Sequence, residues 1–139
     1  MIEDDYQAVL KQLLFIALPN KKFNGHAPCP WLARGLSTGK VTVERGVDPW
    51  QDVLQAEKHN DTRWATCYWY PKTMKADTLE GVCHATCNQS IEVLYMHPNG
   101  APKPMGVTLS GEYPLLVVQN RKLLEQARAN LPPDYPFEF

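Results

Sequence analysis

Three short segments rich in β-branched and aromatic residues alternate with helical segments in the middle of this 139-residue chain. This alternation limits the possible folds more than any other feature. The strand segments lie at 40–44, 64–70 and 91–96, and the stretches between them carry apolar residues at helical spacing. Successive strands joined by helices run parallel through right-handed crossovers. We therefore expect an α/β fold, a single layered domain with a small, mostly parallel sheet.

The flanking segments complete this sheet and its helical cover. The further predicted elements are helices at 3–17, 30–36 and 123–131 and a fourth strand at 113–118. The helix at 49–59 has Asp48 as its cap, and Asp77 or Thr73 is the expected cap of the helix that ends near Ser90. We expect one domain over 1–139, with about four strands and a C-terminal tail, 132–139, rich in aromatic residues and proline, packed on it or extending from it.

Charge and hydropathy argue against two kinds of partner, nucleic acid and a membrane. Fourteen Lys and Arg balance fifteen Asp and Glu, which argues against nucleic acid as a partner. No apolar run approaches the roughly 18 residues of a membrane-spanning helix. The first residues, Met1–Asp5, are acidic where an export signal is basic, so we expect a cytoplasmic protein with reduced cysteines. The four tryptophans are expected in the core.

Cys29 carries the strongest chemical signal. It lies between two prolines at the predicted start of a helix, where backbone N–H groups and the helix dipole favour a thiolate. Arg34, one turn further along, adds positive charge. Cys29 is therefore a candidate nucleophile or redox thiol. The alternative is a small buried side chain in a turn stiffened by proline.

His97 follows the last of the three central strands, and Tyr70-Pro71 ends the strand before it in the same way. Ligands of α/β sheets usually bind at the carboxyl ends of parallel strands, and a histidine there can act as a general base. The alternative is a histidine bonded to loop backbone.

A metal site is a further possibility, for zinc or iron. His26 and Cys29 are spaced as ligands can be, and Cys83 and Cys87 lie one helical turn apart on one face. Buried cysteines of a helical core would show the same spacing. The sequence specifies no cofactor, and it contains no phosphate-binding or hydrolase motif.

Four short motifs together resemble a small bacterial family of unknown function. They are Cys29-Pro30-Trp31, a strand from Thr66 to Pro71, His97-Pro98, and Tyr113-Pro114-Leu115-Leu116 followed by Arg121. The resemblance implies no activity. It does imply that Cys29, Arg34, His97 and Arg121 form one candidate site, with an arginine as an anion clamp.

Three functions follow from these signals. The first is a thiol-based site at Cys29 near His97, acting on a small molecule. The second is a non-catalytic protein-binding or oligomerising module that docks a protein partner, or forms a homo-oligomer, through the tail and the loop from Pro98 to Pro104. The third is a zinc- or iron-binding protein. The sequence identifies neither the ligand nor the partner.

Overall fold

The computed structural model describes residues 2–17, 32–98 and 113–129 of the chain. The elements in chain order are α1 (Ile2–Ala17), α2 (Leu32–Thr38), β1 (Val41–Arg45), α3 (Pro49–Glu57), β2 (Ala65–Trp69), α4 (Ala76–Thr86), β3 (Ile91–Met96), β4 (Leu115–Asn120) and α5 (Arg121–Ala129). The predicted α/β class is confirmed. The tail at 132–139 lies outside the described residues.

The four strands form one mixed sheet in the order β1-β2-β4-β3. Only β1 and β2 are parallel neighbours, and β4 runs antiparallel to both β2 and β3. The predicted mostly parallel sheet is therefore wrong. The three central strands do run in one direction, but β4 lies between β2 and β3. A strand buried on both faces reads as a continuous apolar run whatever its direction, so the sequence of β4 did not reveal its orientation.

Successive side chains of the two central strands, β2 and β4, enter two separate cores. On the first face, Cys67 and Trp69 of β2 pack with residues of α1 and α2 such as Val9 and Leu32. On the second face, Tyr68 and the following Tyr70 pack with residues of α3 and α4. Because β2 and β4 lie in the middle of the sheet, both are buried throughout most of their length. Neighbouring residues enter different cores because successive side chains of a strand point to opposite faces of the sheet.

The helix starts show where local sequence determines structure. Asp48 caps α3 as predicted, since its side chain accepts a hydrogen bond from Trp50 N at 2.9 Å and Pro49 follows at the first position. For α4 the prediction is wrong. Neither Thr73 nor Asp77 is its cap; Lys75 occupies that position, and its side chain makes no capping bond. No helix among the described residues is long and apolar enough to cross a membrane.

Candidate functional site

The ends of β1, β2 and β3 and the start of β4 meet along one side of the sheet. We call this side the carboxyl edge; it comprises residues 45–48, 70–74, 97–98 and 113–114. Of the described residues in which the sequence indicated chemistry, His97 lies at this edge. Its two faces are organised differently.

On the second face, a buried carboxylate holds the carboxyl edge together. Tyr70 donates its hydroxyl to Asp52 Oδ2 at 2.8 Å, and Val47 N donates to the same oxygen at 3.0 Å. Both side chains are buried. Burial raises the pKa of Tyr70 above its usual value, and the hydrogen bond to Asp52 raises it further. Tyr70 therefore remains a neutral donor that ties α3 to β2.

Gly46 permits this arrangement. A Cβ on Gly46 would lie 2.1 Å from the Tyr70 ring, which is fully buried. Gly46 N also donates to Trp69 O at 2.8 Å, which keeps the backbone against β2. Only a residue without a side chain fits this close approach.

His97 lies on the same face, buried beside the β2–α4 loop. Its Nε2 is 2.6 Å from Met74 O, and because a carbonyl only accepts, Nε2 carries the proton. Trp69 and Met96 both lie opposite Leu115, so the next residues, Tyr70 and His97, flank Pro114. The bond to loop backbone is the one that the alternative interpretation of His97 expected. It joins the end of β3 to the loop after β2.

On the first face, two cations lie over two aromatic rings. The rings of Trp69 and Tyr113 pack edge to face with their centroids 5.8 Å apart. Arg45 lies 5.5 Å from the Trp69 centroid and Lys72 lies 5.1 Å from the Tyr113 centroid. The Tyr113 hydroxyl donates to Asp5 of α1. This stack closes the first core at the carboxyl edge.

The arginines predicted to share a site with His97 lie elsewhere. Arg121 donates from Nε to Asn88 O at 2.9 Å and from Nη2 to Ile91 O at 3.3 Å. Those carbonyls are at the start of β3, a six-residue strand, so His97 is about 20 Å away at its other end. Arg34 is exposed on α2, which packs on the first face, whereas His97 is on the second. The structure brings none of the three together, and Cys29 lies outside the described residues.

The two described cysteines of the predicted metal site have structural contacts. Cys83 is buried in the second core. The sulfur of Cys87 accepts a hydrogen bond from Val93 N at 3.2 Å and lies 3.5 Å from Val93 O. It therefore contacts the backbone of β3 in the middle of the strand. Within the described ranges, no group of three or more His, Cys, Asp or Glu is placed to hold a metal. His26 and Cys29 lie outside those ranges.

An apolar surface on α3 is the feature that sequence reasoning missed. Val47 is 89% exposed, Trp50 is 47% exposed and Leu54 is 55% exposed. Together they form what we call the α3 stripe. The expectation that Trp50 is a core residue is therefore wrong. Val53 and Ala56 supply the buried side of α3, so Trp50 and Leu54 face outward. The available signal was the presence of apolar residues on two sides of one short helix.

The chain matches no family model, no curated protein and no solved structure, so its function has to be inferred from its own residues.

Proposed function

We propose that this chain is a non-catalytic binding module that associates through the outer side of α3, and that its first partner is a second copy of itself. The observation that carries the proposal is the α3 stripe. Isolated exposed apolar side chains are ordinary, but here Trp50 and Leu54 lie one turn apart on one side of α3, and Val47 is exposed just before the helix. Exposed apolar clusters that include a tryptophan are typical of protein interfaces.

The stripe is rigidly presented, which favours association. Asp48 caps the helix beneath it, and Asp52 holds Val47 N from the buried side. A surface that is already ordered loses little conformational entropy when it binds. Tryptophan is also among the residues that most often dominate binding energy.

The test is sedimentation velocity of the chain over a wide range of concentrations. We expect the wild type to form a larger species as concentration rises. The double variant Trp50→Ser, Leu54→Ser should remain a monomer under the same conditions. The matched control is Gln51→Ser, Gln55→Ser, which changes two exposed polar residues of the same helix and should behave as the wild type does. A wild type that remains monomeric throughout would contradict the proposal.

A thiol-based site at Cys29 is the second candidate. The observation in its favour is that the residues from Leu32 onward, three after Cys29, are helical, as the sequence predicts. A low-pKa thiolate reacts faster than an ordinary thiol at neutral pH. Alkylation followed by peptide mapping should show faster modification of Cys29 than of Cys87, with the fast phase absent in Cys29→Ser. Equal rates for the two cysteines would exclude an activated thiol.

We also propose a cytoplasmic location. The free thiol of the exposed Cys87 supports it.

A further inference from the structure

Charged residues stand at both ends of the α3 stripe. Asp48 is at the start of α3, Glu57 and Lys58 are at its end, and all three are exposed. The apolar residues Trp50 and Leu54 lie between them, one turn apart. A second copy that covers the stripe must therefore place its own charges beside these. The relative direction of the two helices decides which charges meet.

We propose that two copies of this chain pack their α3 helices antiparallel about a two-fold axis, with Trp50 of each copy against Leu54 of the other. The inference rests on the proposed self-association and specifies its geometry. Both copies use the same surface, as a closed two-fold dimer requires. Each tryptophan covers a leucine, so the apolar side chains of both copies leave water together.

Apolar matching sets the register of the antiparallel pair. With the axis midway between Trp50 and Leu54, each of these residues lies opposite the other in the second copy. A shift by about one helical turn one way places Trp50 opposite Lys58. The same shift the other way places Leu54 opposite the buried Gly46. Either shift leaves one of the two apolar residues without an apolar partner, so only the central register buries both.

Charge complementarity selects the antiparallel direction. The end of one α3 lies beside the start of the other, so Lys58 of each copy comes near the exposed Asp48 of the second copy, and this pair occurs twice. Asp48 Oδ1 accepts from Trp50 N at 2.9 Å, and a carboxylate can accept further hydrogen bonds. Glu57 lies about 100° around the helix from Lys58, on the other side of the stripe, where its charge is near the positive start of the second helix.

A parallel pair, with the axis along the helices, has the opposite charge pattern. Asp48, Glu57 and Lys58 would each lie beside the same residue of the second copy, and the two helix dipoles would point the same way. The apolar residues do not distinguish the two directions, since Trp50 and Leu54 would each meet its own counterpart. The charges therefore decide in favour of the antiparallel pair.

The direct test is oxidative cross-linking of two variants of the full chain, Val47→Cys and Glu57→Cys, at two exposed positions. In the proposed register Val47 lies opposite Glu57 of the second copy, whereas the two copies of either residue are about 15 Å apart, beyond the span of a disulfide. A mixture of the two variants should give a covalent dimer, and each variant alone should give only the wild-type background. Cross-linking of each variant alone to the same extent as the mixture, or no excess in the mixture, would overturn the geometry.

Lys58→Gln tests the direction without a covalent bond, because the two arrangements predict effects of opposite sign. In the antiparallel pair it removes two attractive pairs and should raise the dissociation constant of the dimer about fourfold. In a parallel pair it would relieve repulsion and tighten the dimer. The control is Lys11→Gln, the same charge change at an exposed residue of α1, which packs on the first face and should leave association unchanged. An unchanged or tighter dimer for Lys58→Gln would refute the antiparallel direction.

The outcomes separate the two proposals. A wild type that self-associates through the α3 stripe, while the mixture of Val47→Cys and Glu57→Cys gives no excess cross-link, supports the proposed function and rejects the antiparallel geometry. A wild type that is monomeric at every concentration, with no cross-link from the mixture, rejects both.

Discussion

Tyr68 of β2 and Tyr70, which follows that strand, provide a direct test of the buried polar contacts. Tyr70 donates its hydroxyl to the buried Asp52 at 2.8 Å. Tyr68, two residues earlier, is equally buried, but its hydroxyl has no hydrogen-bond partner among the described residues. The substitution Tyr→Phe thus removes the same atom in two opposite situations.

Tyr70→Phe should destabilise the protein. It deletes a hydrogen bond to a charged acceptor and leaves Asp52 Oδ2 with the Val47 N–H. Hydrogen bonds to a charged acceptor contribute about 2 kcal/mol to stability. The buried Asp52 carboxylate also loses one of the two hydrogen bonds to Oδ2 that offset the cost of its burial. For a chain of this length, that corresponds to a fall in Tm of roughly 8 °C.

Tyr68→Phe should leave stability within about 0.5 kcal/mol of the wild type or raise it, because it removes a buried polar atom that gains nothing from folding. Urea unfolding, with an unchanged dependence on denaturant as the check on the unfolded state, gives both values. Equal losses for the two variants would refute the assignment of the hydrogen bond.

Three further predictions concern the same fold. Gly46→Ala should cost at least about 2 kcal/mol in urea unfolding, because its Cβ meets the immobile Tyr70 ring; a neutral effect would show that the ring can move. Burial, with Glu44 and Asp52 nearby, raises the pKa of Tyr68 to about 12 from 10.0. The unfolded chain therefore loses this proton first, and stability that is complete below pH 10.0 should fall between there and about pH 12. Phenolate absorbance during alkaline titration measures the raised pKa. Tyr68→Phe should make the fall in stability with pH less steep; an unchanged fall would contradict the assignment. Arg121→Lys should cost about 1 kcal/mol in thermal unfolding, because two bonds to backbone carbonyls are lost, and no loss would mean that those bonds contribute nothing.

The elements of this fold were predictable where local sequence determines them. The Asp48-Pro49 start of α3 and the end of β3 before His97 follow from residue types alone. The direction of β4 was not predictable, since the apolar run at 115–118 is compatible with either direction. That direction depends on how the chain returns to the sheet, which no local pattern records.

The candidate site shows the same division. The strand-end position of His97 and its bond to loop backbone were within reach of sequence reasoning. The separation of His97 from Arg121 was not, because it depends on which end of β3 each residue occupies. Trp50 was assigned to the core because its side of α3 cannot be distinguished from the buried side without knowing where the sheet lies.

Sedimentation velocity of the wild-type chain beside the Trp50→Ser, Leu54→Ser variant tests the proposed self-association most directly. The wild type should shift toward a dimer as concentration rises, and the variant, folded to the same extent by circular dichroism, should stay a monomer. If wild type and variant sediment alike at every concentration, the outer side of α3 is not the surface through which this protein associates.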